Sequence, residues 1–272
     1  MDKETTISYI KTNGILPESK FGQNFLCDED VVSKIIEAAD LKSGDKVLEI
    51  GPGIGALTRP LSKLDIGLTC VEIDKRLASL LRDDPEIRAE IIDQDFLKLK
   101  DYKAEEFDVV ISNLPYYVMT DIMKKLFAVC TNTRRMVFMV EEDALARITA
   151  APKTKQYGPL SVLCGIYGKT SVVTKVPGTS FVPAPKTTSA VILLERGEND
   201  TGREVVLFAD RCFAMRRKKL KTALKSYDSV LVDEAYKAQG LDDNIRAEEL
   251  EPEAILRLYN DIIYAKSQRG TL

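Results

Sequence analysis

The sequence predicts an α/β protein: a doubly wound, mostly parallel sheet followed by a small all-helical C-terminal domain. Three observations carry this. The short apolar run Lys46–Ile50 leads straight into the turn Gly51-Pro52-Gly53-Ile54-Gly55, and a helix opens at Ala56. Strand, glycine-rich turn and helix form the first unit of nucleotide-binding doubly wound sheets. Further β-branched runs at 68–74, 89–92, 109–111 and 135–140 alternate with stretches of helical spacing, as parallel strands joined by helices do. Beyond the polar, turn-rich stretch Gly197–Gly202 the strand pattern stops, which sets a boundary near residue 200: residues 1–200 form the sheet domain with an N-terminal arm, and 201–272 the helical domain.

Composition excludes several classes of chemistry. The chain has 272 residues, 44% apolar and 30% charged, which is ordinary for a soluble protein with a full core. No apolar run approaches the roughly 20 residues of a membrane span. Met1-Asp2-Lys3-Glu4 is charged, so no signal peptide is expected, and a cytoplasmic location follows. The five cysteines, at 27, 70, 130, 164 and 212, are scattered without a Cys-x-x-Cys pair, which fits reduced thiols rather than disulfides or a zinc ribbon. There is no histidine. That removes Ser-His-Asp and Cys-His catalysis and histidine metal sites, and no metal is expected. The net charge of −3 argues against a uniformly basic nucleic-acid binder but leaves room for local basic patches.

In order along the chain, residues 1–20 read as a short helix and an irregular arm interrupted by Gly14 and Pro17. Phe21-Gly22-Gln23-Asn24-Phe25-Leu26 follows, then Asp28 as an N-cap for a helix with Val31, Val32, Ile35, Ile36 and Ala39 on one face. Glu49 precedes the glycine turn and no Walker lysine follows it, so phosphate cradling is not expected. The strand Leu68–Asp74 carries Glu72, an acid at the spacing of about 20 residues from the glycine turn at which ribose hydroxyls are held. The strand Ala89–Ile92 ends in Asp93-Gln94-Asp95-Phe96. Glu72 on a ribose, with Asp95 and Phe96 around an adenine ring, would make an adenosine site.

The run Val109-Val110-Ile111 closes on the loop Asn113-Leu114-Pro115-Tyr116, at a strand's carboxyl end where open α/β sheets bind ligands. Its Asn side-chain oxygen, Leu114 carbonyl, fixed proline φ and tyrosine ring can hold a planar base bearing an exocyclic amine. A helix is expected at 120–129, a strand at 135–140, a helix at 141–151, a basic loop at 153–160, mixed structure at 161–167 and a strand at 171–176. Phe181-Val182-Pro183-Ala184-Pro185 is an extended loop and Ser189–Leu194 the last strand. One long helix over 203–226 carries Arg216, Arg217, Lys218, Lys219, Lys221 and Lys225, and two amphipathic helices follow at 232–238 and 252–265.

Taken together, these motifs resemble the small-subunit ribosomal RNA adenine dimethyltransferases. The resemblance rests on Phe21-Gly22-Gln23-Asn24-Phe25-Leu26, Glu49-Ile50-Gly51-Pro52-Gly53-Ile54-Gly55, Val71-Glu72-Ile73-Asp74, Asp95, Asn113-Leu114-Pro115-Tyr116, Phe181-x-Pro-x-Pro-Lys186 with Ser189-Ala190-Val191, and Arg216-Arg217-Lys218. They run in family order over nearly the whole chain. The resemblance implies a Rossmann-like methyltransferase sheet and S-adenosylmethionine as cofactor. It places Asn24, Leu26, Gly51, Glu72, Asp95 and Asn113 around that cofactor, and the arm, the glycine turn and the strand end add Gln23, Gly53 and Phe96 to the expected site. It further implies a substrate of two adjacent adenines in a hairpin near the 3′ end of small-subunit rRNA. The small ribosomal subunit or its precursor is then the partner, contacted by Arg216, Arg217, Lys218 and Lys221 of a monomeric protein, with a part in subunit biogenesis. Two stretches depart from the family pattern: Glu141-Glu142-Asp143 stands where Gln-Lys-Glu is usual, and Thr187 and Thr188 where Val and Asp are common.

In this reading Asn113 and Leu114 accept the two N–H groups of adenine N6 and turn its lone pair toward the methyl, while Tyr116 and Phe181 stack on the base. Catalysis is then positioning and local electrostatics, for which about 7–11 kcal/mol is available, and no histidine base is needed. A DNA adenine methyltransferase would carry Asp or Asn before Pro-Pro-Tyr and a target-recognition domain. A large-subunit enzyme of the macrolide-resistance type would read Asn-Ile-Pro-Tyr-x-x-Ser, which Leu114 fits less well. The non-enzymatic alternative is an assembly or RNA-binding factor with an idle cofactor site.

Overall fold

The structure, a computed structural model, describes residues 1–18, 21–99 and 106–264. Its helices are α1 (Lys3–Thr12), α2 (Glu29–Ala39), α3 (Thr58–Leu61), α4 (Lys75–Asp83), α5 (Met119–Val129), α6 (Glu142–Ile148), α7 (Pro159–Tyr167), α8 (Arg203–Phe213), α9 (Leu220–Ala223), α10 (Ser229–Ala238) and α11 (Pro252–Tyr259). Its strands are β1 (Phe25–Leu26), β2 (Lys46–Ile50), β3 (Gly67–Glu72), β4 (Glu90–Asp93), β5 (Val109–Asn113), β6 (Arg135–Glu141), β7 (Gly168–Val176), β8 (Phe181–Val182) and β9 (Ser189–Arg196).

Seven strands form one sheet in the order β4-β3-β2-β5-β6-β9-β7. The pairs from β4 to β6 are parallel and β9 runs antiparallel to β6. The central strands are apolar throughout because both sheet faces are covered: Val47, Val109–Ile111 and Met136–Val140 are all buried. Chain order reverses between β2 and β5, so the ends of those two strands form a topological switch point, the usual ligand position in such sheets. α2 packs on β6 and β9, and α4 on β3 and β4. Asp28 caps α2 through Val31 N at 3.2 Å, as its sequence position predicts.

The chain divides into two compact units. One comprises residues 1–123, 132–145 and 169–196; the other comprises 124–131, 146–168 and 197–272. The second unit is therefore assembled from three segments, where a sequential cut at 200 gives only one. The extra material includes α7, the stretch that reads as mixed in sequence. Pro159 sits in its first turn, where no N–H is needed, and Leu160, Val162, Leu163, Cys164 and Ile166 are buried. The helix expected over 141–151 is the shorter α6.

The long helix expected over 203–226 does not exist as one piece. α8 ends at Phe213, a turn follows, and Lys219 (φ −55°, ψ 140°) leaves helical geometry before the four-residue α9. Leu220 N donates to Ile245 O at 2.8 Å instead of to its own helix. A continuous helix would also place Arg217 and Lys221, and Lys218 and Lys221, on one face as like charges. The basic run is therefore a turn, not a helical face.

The N-terminal arm is more ordered than its sequence suggests. Phe25 and Leu26 pair antiparallel with Val182 and Phe181 as a two-stranded sheet, and Cys27 N donates to Ser180 O at 2.8 Å. The five cysteines are buried, free thiols.

Candidate active site at the switch point

Gly51 follows β2 directly, with φ +70°, a conformation that side-chain-bearing residues rarely adopt. A Cβ there would meet nothing nearer than Asn113 O at 3.9 Å, so the missing side chain leaves open space between the two strand ends. At Gly55 (φ +85°) a Cβ would come within 2.9 Å of Arg59 Nη1 and 3.0 Å of Leu81 Cδ2. That residue is glycine for helix packing rather than for a ligand. Above the turn lies a cleft that encloses about 650 Å³ of empty space, its open mouth included.

Glu72 ends β3 on one side of this cleft and is buried. Its Oε2 accepts from Gly53 N and its Oε1 from Asp74 N, both at 2.9 Å. Burial pushes its carboxyl pKa up, against the pull of those two backbone donors. Each oxygen keeps a lone pair, so the carboxylate is held rigidly and can still accept two hydroxyl protons. Glu49, on the neighbouring strand, also lines the cleft; it accepts from Thr58 Oγ1 at 2.8 Å and from Cys70 Sγ at 3.5 Å, and burial raises its pKa to about 7.

The arm closes the other side. Gln23 Oε1 accepts from Glu18 N at 2.7 Å, and its Nε2 donates to Asp74 Oδ2 at 2.9 Å. Arg76 binds the same Asp74 oxygen at 2.7 Å and Glu18 at 2.6 Å. The Arg76 contact, with help from Gln23, draws the Asp74 pKa down to about 2. Gln23 is thus a clasp between the arm and the end of β3. Sequence reading placed Gln23 at the site but missed Asp74 as its partner, because the two lie 51 positions apart.

Asn113 ends β5. Its Nδ2 donates to Asn24 O at 3.4 Å, which turns Oδ1 away from the arm. It lines the first cleft and also a second, of about 770 Å³, walled by Leu114, Pro115, Tyr117, Glu141, Phe181 and Ser189 among others. Gly22, Asn24 and Pro115 line both clefts as well. Leu114 is buried and its N–H is used by Met139 O at 3.1 Å. Phe181 lines the second cleft although it is only 3% exposed and belongs to the main core. The Tyr116 side chain lies outside the described part of the structure. Its neighbour Tyr117, which sequence reading passed over, is 54% exposed at the rim of the second cleft.

The other predicted residues divide. Leu26, Gly51 and Gly53 line the first cleft with Gln23, Asn24 and Glu72. Asp95 and Phe96 do not. Asp95 Oδ1 caps its own turn through Leu97 N at 3.0 Å, and Phe96 is buried. Ile73 and Leu77 line the cleft in their place. In the helical unit, Arg216 is not a free cation: it donates to Glu248 at 2.5 Å, to Lys155 O at 2.7 Å and to Thr154 O at 2.8 Å. Lys221 pairs with Asp233 and Asp243, each at 2.7 Å, and lies over the Tyr236 ring. Both serve internal contacts. Arg217, Lys218, Lys219 and Lys225 are exposed.

Two adjoining clefts that share a wall of Gly22, Asn24, Asn113 and Pro115 suit transfer of a small group between two bound molecules. Comparisons with known proteins agree. The sequence profile described as "Ribosomal RNA adenine dimethylase" matches residues 17–264. A protein of Pseudoalteromonas translucida named "Ribosomal RNA small subunit methyltransferase A" is 35% identical over 251 residues, covering 89% of this chain and 92% of the relative. One of the same name from Mycoplasmopsis synoviae is 36% identical, covering 89% of this chain and 95% of that protein. Among solved structures, a dimethyladenosine transferase from Plasmodium falciparum shares the fold at a TM-score of 0.67, with 23% identity over 90% of this chain and 98% of that one. The 23S rRNA methyltransferase ErmE is similar at a TM-score of 0.60, with 25% identity over 88% of this chain and 99% of that one. The family profile spans both units and every residue of the two clefts, and so the chain belongs to the ribosomal RNA adenine dimethylase family.

Proposed function

We propose that the first cleft holds S-adenosylmethionine, that the second takes the target adenine, and that Asn113 presents the base of one to the methyl of the other. The protein is an S-adenosylmethionine-dependent rRNA adenine dimethyltransferase acting on the small subunit. The finer reading is that its targets are two adjacent adenines of the 3′-terminal hairpin, modified during subunit biogenesis in the cytoplasm by a monomer. Among the described residues no helix is long and apolar enough to cross a membrane.

The residues of the first cleft fit the cofactor. Glu72, fixed by Gly53 N and Asp74 N, offers the two free lone pairs that ribose hydroxyls need. Gly51 leaves space for close backbone approach. Ile73 and Leu77 give apolar contact to the adenine ring, and Gln23 and Asp74 fasten the arm across it. The bound cofactor supplies an electrophilic methyl group on a sulfonium.

The chain's own part is to make a poor nucleophile a good one. The N6 lone pair of adenine is delocalised into the ring. Asn113 Oδ1 accepting one N–H and the Leu114 carbonyl the other would pyramidalise the nitrogen and aim its lone pair at the first cleft. Tyr116 and Phe181 hold the extruded ring, a contact worth about 1–3 kcal/mol per stacked base. Arg217 and Lys218, with Lys219 and Lys225, meet rRNA phosphates.

The observation that carries this reading is that Asn113 lines both clefts with its amide nitrogen already spent on Asn24 O. The test is mass mapping of methylated nucleotides after incubating the protein and S-adenosylmethionine with small subunits that lack the modification, with large subunits in parallel. Dimethyladenosine at two neighbouring positions of the small-subunit hairpin is expected. Methylation of the large subunit alone would overturn it.

A further inference from the structure

The second cleft contains a carboxylate that holding and stacking the adenine do not use. Glu141 is the last residue of β6, two positions beyond Met139, which pairs with Asn113. Its backbone is held in the sheet opposite Ser189, and both residues line the cleft. It is half-buried, and it has no hydrogen-bond or ion-pair partner among the described residues.

The neighbouring acids are accounted for. Glu142 and Asp143 are exposed and begin α6, where negative charge suits the helix dipole. Glu142 lies 3.6 Å from Lys175, and its N–H donates to Thr188 O at 3.1 Å. The two departures from the family pattern, at 141–143 and at 187–188, therefore meet at one strand end. The changes at 142 and 188 stand against each other across β6 and the approach to β9. Glu141 is the one change that faces the cleft.

An unpaired anion here is a cost to a protein whose substrate is a polyanion. It is useful only against a positive charge. Methyl transfer creates one. The N6 lone pair forms the new N–C bond, the C–S electron pair stays on sulfur, and sulfur becomes a neutral thioether. The positive charge thus leaves the first cleft and appears on N6 in the second, until one N6 proton departs to water through the open mouth. A carboxylate in the second cleft is favoured by that movement and does little for the neutral starting base.

Resting on the two-cleft reading of the function, we infer that Glu141 supplies the counter-charge for the aminium formed on the target adenine. Its negative charge, not its shape, is what matters. Glu141→Gln keeps the shape, and because Glu141 has no hydrogen-bond or ion-pair partner among the described residues, the change breaks no contact of the fold.

The test separates charge from structure through binding. Two short hairpin RNAs are compared with the protein in the presence of S-adenosylhomocysteine. One carries neutral N6,N6-dimethyladenosine at the target position; the other carries the permanent cation 6-(trimethylammonio)purine. The wild-type protein is expected to bind the cationic RNA about tenfold more tightly than the neutral one, and Glu141→Gln to bind both alike. Single-turnover methylation by Glu141→Gln should slow about three- to tenfold with cofactor affinity unchanged. Equal binding of both RNAs by the wild type, or an undiminished preference in Glu141→Gln, would overturn the assignment of Glu141 while leaving the two-cleft reading intact. Failure of the wild type to bind either RNA, or to methylate small subunits, would overturn both.

Discussion

In the proposed two-cleft arrangement, replacing Asn113 with alanine removes one acceptor from the target amine while leaving most of the first cleft in place. Oδ1 is preorganised: the strand end fixes the backbone, and the hydrogen bond from Nδ2 to Asn24 O fixes the amide plane. Loss of one such polar group at a reacting centre costs about 10²–10³ in kcat, or roughly 3–4 kcal/mol. The substitution also removes the bond to Asn24 O, which is long, at 3.4 Å, and belongs at the weak end of hydrogen bonds, near 0.5 kcal/mol. Cofactor affinity should therefore move by only about two- to threefold. Asn113→Asp keeps an acceptor but cannot donate to Asn24 O, so its rate should lie between wild type and Asn113→Ala. The second transfer should suffer more than the first, since a monomethylated amine has one N–H left to hold. The assay is single-turnover methylation of undermethylated small subunits, counting mono- and dimethyladenosine separately. A near-normal rate for Asn113→Ala would refute the amine-holding mechanism.

Three other perturbations address the rest of the molecule. Glu72→Ala should weaken S-adenosylmethionine binding at least about tenfold by calorimetry, as loss of hydrogen bonds to a charged group implies, and should lower the melting temperature because Gly53 N and Asp74 N lose their acceptor; unchanged affinity would remove Glu72 from the site. Glu49 has a folded pKa of about 7 against 4.5 unfolded, so the folded state holds the extra proton and stability falls as pH rises from about 4.5 to 7, by up to about 3 kcal/mol. Denaturant melts of Glu49→Gln without cofactor should show a flatter profile over that window, and a profile identical to wild type would mean that Glu49 is ionised in the fold. Arg216→Ala should destabilise the helical unit by about 1–2 kcal/mol, discounted for its partial exposure, whereas Arg217→Ala with Lys218→Ala should leave the melt unchanged and reduce the salt slope of subunit binding by about 0.7 per residue; the opposite assignment of effects would restore Arg216 as an RNA contact.

Much of the fold was legible because its signals are local. Each parallel strand is a short apolar run, and the glycine turn and Asn113 loop follow such runs directly, so their placement at strand ends needed no tertiary knowledge. The position of Glu72 beside the glycine turn was legible through its spacing from that turn. What sequence could not give is set by distant partners. β1 and β8 are two residues each, too short for any period, and exist because they pair with each other. The Gln23–Asp74 clasp joins residues that only the fold brings together. Helical spacing ran unbroken through 203–226, yet Ile245 O takes the Leu220 N–H and Arg216 turns to two carbonyls and Glu248. A run of cations reads as one basic surface in sequence, while in the fold two of the four proposed contacts are committed internally. Asp95 met the pattern of an acid at a strand end, and one of its oxygens caps the turn that follows.

Gly22, Asn24, Asn113 and Pro115 each face both clefts. A wall with two sides cannot be ordered from one side alone. Whatever free energy the cofactor contributes to holding the arm against Asn113 lowers the cost of seating the adenine, and the base returns the same amount to the cofactor, because linkage between two binding equilibria is reciprocal. The factor by which RNA tightens cofactor binding must equal the factor by which cofactor tightens RNA binding. If cofactor and adenine occupy the two clefts as proposed, that shared wall has a different neighbour on each side once the methyl has moved, and release of the spent cofactor should alter the grip on an adenine that has a second methyl to receive.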